Sequence, residues 1–215
     1  LNAMVNAGAM ATVSLVEAED SEAGWSLFLD SYQAFAGEPL VVMKGVYDSV
    51  GASNYRNRAL VNLLQENGHL GAEPVSTLDV YNRQSSVAVT ARQLATMGAT
   101  LANGGVNPRT GKRAIASALV DEVLAVMLMA GFYDESGRWA YDVGLPAKSG
   151  VGGGGVAVVP GRLALSAYSP RLSAAGNSVR GMRALTAIAE ELGLSLFISR
   201  PYTRAAEPRR TSGER

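Results

Sequence analysis

The stretch Pro146-Ala-Lys-Ser-Gly-Val-Gly-Gly-Gly-Gly155 leads from a Lys-Ser-Gly triplet into a glycine-rich segment. Two short apolar runs follow, one ending at Pro160 and one covering 163–169, with Gly161 and Arg162 between them. Short β-forming runs separated by a glycine-containing turn are typical of a β-hairpin. The sequence therefore predicts two antiparallel strands, with the Lys-Ser-Gly triplet immediately before them.

Upstream of this hairpin the pattern is helical, because apolar residues recur at spacings of three and four from residue 6 to about residue 131. Helices are predicted over 21–35, 54–67 and 117–130, and two more are predicted to begin at capping boxes, at Ser76 and at Thr90. Gly37 is expected to end the first of these helices in a left-handed conformation. After the hairpin, the sequence predicts a helix over 178–192 and a last strand over 194–198.

Composition excludes several classes of function. Nineteen basic residues balance nineteen acidic ones, which argues against binding to nucleic acid or to an acidic membrane surface. With no cysteine and a single histidine, the chain lacks the residues for thiol catalysis, disulfides, zinc-finger sites and His-led triads, and we expect no metal site. No uncharged stretch reaches the roughly 18 apolar residues that a membrane span needs. Any catalysis must therefore use hydroxyls, amides, carboxylates or lysine.

The Lys-Ser-Gly triplet is the sharpest chemical signal in the chain. Lys148 would place a cation and Ser149 a hydroxyl beside a cleft, and the glycines would let a substrate lie against strand amides that stabilise an oxyanion. Taken alone, the triplet also fits a flexible glycine turn with a solvated lysine. The surrounding sequence decides between these two interpretations.

Further motifs occur in order along almost the whole chain, at 2–11, 46–49 with 54–59, 78–81 with 86–92, 105–111, 129–137, 144–155, and 169–170 with 176–179. Together they resemble the serine-dependent glutaminases, and the triplet is similar to the Lys-Thr/Ser-Gly element of serine β-lactamases and penicillin-binding proteins. The resemblance implies hydrolysis of L-glutamine to L-glutamate and ammonia through an acyl-enzyme on a serine, without a cofactor. It also implies a cytoplasmic homo-oligomer.

The fold implied by the resemblance is of the α+β class, β-lactamase/transpeptidase-like. We expect a mainly helical subdomain over 1–143, followed by the C-terminal strands and helix of the sheet subdomain over 144–198, with the N-terminal strands missing. Residues 199–215 hold five arginines and no apolar periodicity, which predicts a disordered tail.

The resemblance also implies the residues of the site. Tyr81 and Lys148 are the expected catalytic residues, and substrate binding is assigned to Asn6, Asn57, Tyr81, Tyr133 and the backbone amide of Val151. As general base or proton shuttle, Tyr81 would need neighbouring cations to lower its pKa far below the ordinary value near 10. Without the resemblance, both tyrosines fit core aromatics and both asparagines fit helix caps.

Two departures from the family pattern stand out. The family's nucleophile lies in a Ser-x-x-Lys element, but the residues three positions before Lys44, Lys112 and Lys148 are not serine. Because the family has this element upstream of the motif at 2–11, and because the chain begins without methionine, we expect an N-terminal segment to be missing and this chain alone to be inactive.

The second departure is Val50, which stands where the family has a glutamate that contacts the substrate's α-amino group. Losing a hydrogen bond to a charged group would weaken glutamine binding. Two other interpretations therefore stay open. The chain could be a non-catalytic module for glutamine or glutamate binding or for oligomerisation, or part of a related serine amidohydrolase with a different substrate.

Overall fold

The computed structural model describes residues 2–198 of the chain. Most of this part is helical, and short 3-10 turns at Ser117–Leu119 and Tyr133–Glu135 precede two of the helices. The helices are α1 (Asn6–Val13), α2 (Ser21–Ala36), α3 (Lys44–Ser53), α4 (Tyr55–Glu66), α5 (Pro74–Gln84), α6 (Ala91–Ala102), α7 (Val120–Ala130), α8 (Ser136–Asp142) and α9 (Val179–Glu191).

The strands form two antiparallel sheets. A two-stranded sheet pairs β1 (Val41–Val42) with β2 (Val87–Ala88), and a three-stranded sheet has the order β3 (Ala147–Ser149), β4 (Gly154–Val159), β5 (Leu163–Tyr168). Val159 pairs with Leu163, and the turn between them places Gly161 at a φ of 70°. The predicted hairpin is therefore confirmed, and helices combined with antiparallel strands confirm the α+β class.

The three-stranded sheet has helices on both faces, which explains why β4 is almost continuously apolar. Ala157 and Val159 belong to a core cluster shared with α8 and α9, whereas Val156 and Val158 belong to a cluster shared with α6 and α7. A third cluster, which includes Met10, joins α1, α4 and α5. The sheet and the helices before it are thus packed through separate apolar clusters.

Local signals placed several helix ends correctly. Gly37 ends α2 in the left-handed conformation, with a φ of 72°, and Thr90 forms the predicted capping box with Gln93 at the start of α6. Ser178 caps α9, the helix predicted over 178–192. In each case the signal is a polar side chain or a glycine that satisfies backbone groups at a helix end.

Other predicted boundaries are wrong. The helix predicted to begin at Ser76 begins at Pro74 and is capped by Glu73, because proline at the first position needs no backbone partner. Residues 117–119 form a 3-10 turn, so α7 begins later than predicted. Residues 194–198 form no strand, because their backbone amides are used elsewhere. The amide of Leu194 donates to the carbonyl oxygen of Ala189 in α9, and the amide of Leu196 donates to the carbonyl oxygen of Gly144.

The buried faces of two helices also differ from those predicted. The spacing of apolar residues in α4 predicts that Ala59, Leu60, Leu63 and Leu64 share one side of the helix. Leu63 is instead 59% exposed, and the buried residues are Asn57, Val61 and Leu64. In α7 the sequence singles out Leu119 and Met127 among the apolar residues. Met127 is buried, but Leu119 is 52% exposed, and Val120 and Leu124 are buried as well. When the buried face of a helix includes a polar residue, as in α4, the spacing of apolar residues alone does not identify that face.

Two further predictions concern the C-terminal tail and the absence of a membrane-spanning segment. The predicted disordered tail, residues 199–215, lies outside the described residues. No helix in the described part of the chain is long and apolar enough to cross a lipid bilayer.

Gly131 fixes the distance between the end of α7 and β3. A Cβ atom there would lie 1.6 Å from the carbonyl oxygen of Ala147, on the strand that carries Lys148. We expect Gly131→Ala to destabilise the protein by about 3 kcal/mol, because backbone rather than a flexible side chain would have to move. Urea denaturation followed by circular dichroism measures this change.

Gly137→Ala is the matched control, because Gly137 lies in α8 and a Cβ atom there meets nothing within 4 Å. This substitution should be neutral or stabilise by up to about 1 kcal/mol, since alanine favours a helix over glycine. Equal unfolding midpoints for the two variants would contradict the close approach of α7 and β3.

Candidate active site

Lys148 and Ser149 project from opposite faces of β3, because successive side chains of a strand alternate. The Nζ atom of Lys148 lies 4.6 Å from the centre of the Tyr133 ring, within the range of a cation–π contact. Burial lowers the pKa of Lys148 from its ordinary 10.5 to about 8. Lys148 is therefore a partly buried cation that titrates close to neutral pH.

The prediction that the Ser149 hydroxyl lies beside the cleft is wrong. Its side chain is buried, and its hydroxyl donates to the Oδ1 atom of Asn177 at 2.5 Å. The alternation along β3 explains the correction, because only one of two neighbouring residues can share the face of Lys148.

Tyr133 occupies an unusual backbone position, with a φ of 53°. Its phenol lies beside the backbone of Val151. Burial raises the pKa of Tyr133, and a hydrogen bond with the Val151 backbone lowers it in part. A Cβ atom at Gly176 would lie 3.2 Å from Val151 Cγ1 and 3.7 Å from Tyr133 Cε2. Lys148, Tyr133 and Val151 therefore form one continuous group at the sheet, as predicted.

Tyr81 approaches this group from the helical part. It lies on α5, is 9% exposed and packs in the cluster that contains Met10, Val61 and Leu64. Burial raises the pKa of Tyr81, a hydrogen bond with Ser85 acts against this, and ionisation of Tyr133 would raise it further. The expected lowering of the Tyr81 pKa is therefore wrong, because burial outweighs the hydrogen bond that would lower it.

The two predicted asparagines form a pair. Asn6 begins α1 and is exposed, and its Nδ2 atom donates to the Oδ1 atom of Asn57 at 3.0 Å. Asn57 is buried on α4, one turn before Val61 of the Tyr81 cluster. Among the described residues, Asn6 Oδ1 and Asn57 Nδ2 make no further hydrogen bond, so each is available to a ligand.

Sequence reasoning missed a buried polar network behind Tyr133. It consists of Ser149, Asn177 and Glu135, and Asn177 is fully buried. Both of the latter residues lie within the motifs at 129–137 and 176–179, but nothing in the sequence marks an asparagine or glutamate as buried. The sequence does show Gly176 directly before Asn177, and a glycine often marks a position where another part of the chain comes close to the backbone.

Two cavities in the described part of the chain lie beside the candidate site, and the first is lined in part by Glu135. One, of about 400 Å³, lies between α8 and α9, and the other, of about 450 Å³, lies between α3, α4 and α5. Neither is lined by Tyr81, Tyr133, Lys148 or Val151. Within residues 2–198, no cluster of three or more His, Asp or Glu side chains is arranged to hold a metal ion.

Comparison with known proteins gives one consistent family. The family model described as Glutaminase matches residues 1–197. Glutaminase 2 of Yersinia pestis is 48% identical over 202 residues, and a glutaminase of Brucella canis is 50% identical over 200 residues. These matches cover 94% and 93% of this chain but 59% and 63% of the two relatives. The chain thus spans about three fifths of the length of the curated relatives it matches.

Solved structures give the same result. The structure described as the probable glutaminase YbaS superimposes with a TM-score of 0.91 at 47% identity, covering 93% of this chain and 64% of that one. The Bacillus subtilis glutaminase YbgJ, in covalent complex with 5-oxo-L-norleucine formed by reaction with 6-diazo-5-oxo-L-norleucine, has a TM-score of 0.86 at 33% identity. That match covers 90% of this chain and 69% of YbgJ.

Proposed function

The chain belongs to the glutaminase family and has the β-lactamase-like fold of its structural neighbours, and from this premise we propose that the protein hydrolyses L-glutamine to L-glutamate and ammonia. The observation that carries the proposal is the group formed by Lys148, Tyr133 and Val151, together with the buried phenol of Tyr81 on α5. A cation, two phenols and a backbone amide are suited to acyl transfer at a small carboxamide.

In the proposed reaction, a serine of the family's Ser-x-x-Lys element attacks the side-chain carbonyl carbon of glutamine. The backbone amide of Val151 stabilises the negative oxygen of the tetrahedral intermediate. The carbon–nitrogen bond then breaks, and the proton that the serine hydroxyl lost on attack passes through Tyr81, whose pKa burial raises, to the nitrogen that leaves as ammonia. Water next attacks the ester, and its proton passes back through Tyr81 as the serine is released with glutamate.

The remaining residues orient the substrate. Asn6 and Asn57 each retain one free amide atom, an acceptor and a donor, and such amides hold a carboxamide or carboxylate without adding charge. Lys148 supplies positive charge opposite the substrate's developing negative charge, and the Tyr133 ring holds the ammonium group in place.

The covalent complex of YbgJ supports this type of chemistry. Its ligand derives from a diazoketone in which a diazomethyl group stands where glutamine has its amide nitrogen, and such reagents alkylate an activated nucleophile. The same reagent therefore provides a direct probe of the proposed serine.

The test compares this chain with a completed protein. The completed protein contains this chain together with the residues that its gene encodes before Leu1, or, if there are none, with the corresponding segment of the Yersinia pestis relative. We expect ammonia release from glutamine, and a mass increase with 6-diazo-5-oxo-L-norleucine, from the completed protein but not from residues 1–215 alone. A completed, folded protein that neither releases ammonia nor reacts with the diazoketone would reject the proposed function.

Val50 is expected to weaken substrate binding. It is half-buried in α3, and Asp48, the nearest carboxylate in sequence, forms an ion pair with Lys44 at 2.7 Å. In the completed protein, Val50→Glu should lower the KM for glutamine by about 10- to 100-fold, the equivalent of a charged hydrogen bond of roughly 1.5–3 kcal/mol.

Ala52→Glu provides the control for this change, because it adds the same charge to an exposed position of α3. Steady-state ammonia release over a range of glutamine concentrations measures both variants. If Val50→Glu leaves the KM unchanged, the family's glutamate contact does not transfer to this position, and an amide substrate other than glutamine becomes the better proposal.

We also propose that the protein acts in the cytoplasm as a homo-oligomer. The relatives named above are bacterial glutaminases, and the described helices include none suited to a membrane. Sedimentation of the completed protein tests the oligomeric state, and a monomer at micromolar concentration would reject that part of the proposal.

A further inference from the structure

A fully buried asparagine lies directly behind the candidate site. The side chain of Asn177 uses all its hydrogen-bonding groups within the protein. Its Nδ2 atom donates to the carbonyl oxygen of Phe132 at 3.0 Å and to the carboxylate of Glu135 at 2.5 Å, and its Oδ1 atom accepts from Ser149. Asn177 therefore joins the turn that carries Tyr133 to the strand that carries Lys148.

The same turn is held by a second side chain. Ser136 Oγ accepts from the backbone amide of Phe132 at 2.9 Å and donates to the carbonyl oxygen of Tyr133 at 2.7 Å. Ser173 adds a hydrogen bond to Glu135 at 3.1 Å. The peptide groups on both sides of Tyr133 are thus fixed by buried or half-buried polar side chains.

Tyr133 needs this support because its φ of 53° lies in the left-handed region, which a bulky residue disfavours. Such a conformation persists where the surrounding contacts over-determine it, and it is common at functional sites. Here it brings the phenol to the backbone of Val151 and the ring below Lys148.

We propose that Asn177 is a positioning residue, which acts through Tyr133 by holding its turn in the left-handed conformation and in register with β3. The catalytic consequence of this inference rests on the proposed function. The structural part, that Asn177 holds the Tyr133 turn in place, is independent of it. Asn177 touches neither the Tyr133 side chain nor Lys148 through its own hydrogen bonds, so its effect on the reaction is indirect.

A double-mutant cycle in the completed protein separates positioning from a general loss of stability. We expect Asn177→Ala to lower kcat for glutamine by about 10- to 100-fold, as expected for a misplaced catalytic group. Combined with Tyr133→Ala, which removes the ring that Asn177 is proposed to position, the same change should lower kcat by less than about threefold further, because effects of residues that act through one another are not additive.

Asn107→Ala is the matched control. Asn107 is also fully buried, and its side chain donates to the carbonyl oxygens of Ala34 and Phe35 and accepts from the amides of Arg109 and Thr110. Its replacement should lower the melting temperature about as much as Asn177→Ala but leave kcat of the folded protein unchanged. Additive effects of Asn177→Ala and Tyr133→Ala would overturn the proposal.

A second readout does not depend on activity. Nuclear Overhauser contacts between the Tyr133 ring and Gly176 should be lost in Asn177→Ala and retained in Asn107→Ala. If the completed protein proves inactive, the proposed function fails, and these contacts alone decide the inference: their persistence in folded Asn177→Ala would overturn it. Should Asn177→Ala not fold, Asn177→Ser is measured in its place, because serine keeps a polar group but cannot reach Phe132 and Glu135 together.

Discussion

Replacing Tyr81 with phenylalanine in the completed protein should lower kcat for glutamine by about 10²- to 10⁴-fold, the usual contribution of a positioned acid or base. Only the hydroxyl is removed, so the ring keeps its packing against Met10, Val61 and Leu64. The fold should therefore survive, and the loss should reflect proton transfer alone. Ammonia release at saturating glutamine, with a melting curve for each variant, measures the two quantities separately.

Tyr141→Phe is the control, because Tyr141 is 91% exposed. The control should keep the kcat of the unmodified protein. A decrease of less than about threefold in Tyr81→Phe would show that the phenol does not transfer the proton, and the role of Tyr81 would be reduced to packing.

Replacing Lys148 with methionine should have opposite effects on activity and on stability. Because the cation would no longer face the developing negative charge, kcat/KM should fall by about 10²- to 10³-fold. Methionine is unbranched and only one atom shorter than lysine, and its thioether can pack against the Tyr133 ring, so little packing is lost.

The gain in stability follows from the pKa of Lys148, which burial lowers from 10.5 to about 8. Between these values the unfolded chain binds a proton that the folded chain releases, so stability rises with pH across this window and is lowest below pH 8. The methionine variant carries no such penalty. It should melt a few degrees higher at pH 7, and its stability should change less between pH 8 and 10.5.

Scanning calorimetry at several pH values measures this effect, and Lys112→Met, at an exposed position, is the control for the loss of a charge. A Lys148→Met variant that is less stable than the unmodified protein at pH 7 would mean that the cation stabilises the fold. In that case we would assign Lys148 a structural role in place of the catalytic one.

The sequence predicted the helices and the hairpin more reliably than it predicted which faces are buried. Caps and glycines act locally, so Thr90 and Gly37 could be interpreted without knowing the neighbours. Burial depends on packing partners far away in the chain. Asn57 shows the difficulty, because a polar residue occupies the buried side of α4 while Leu63 lies on the exposed side.

The candidate site follows the same division. The family resemblance identified Tyr133, Lys148 and Val151 as neighbours, and the structure brings them together. It led to the wrong direction for the Tyr81 pKa, which depends on burial and on the charges that reach the phenol. It also did not reveal Asn177, because a buried asparagine and an exposed one look identical in a sequence.

The alternation along β3 makes the site sensitive to chain length as well as to residue type. Lys148 faces Val156 across the pair β3–β4, and only three residues of β3 take part in this pairing. A slip of the strand by one position would exchange the two sides, so that the ammonium would be pushed among the apolar residues beside α9 and the serine would meet Tyr133. Inserting or deleting one residue in the turn at 150–153 would therefore threaten the site even if every side chain were kept.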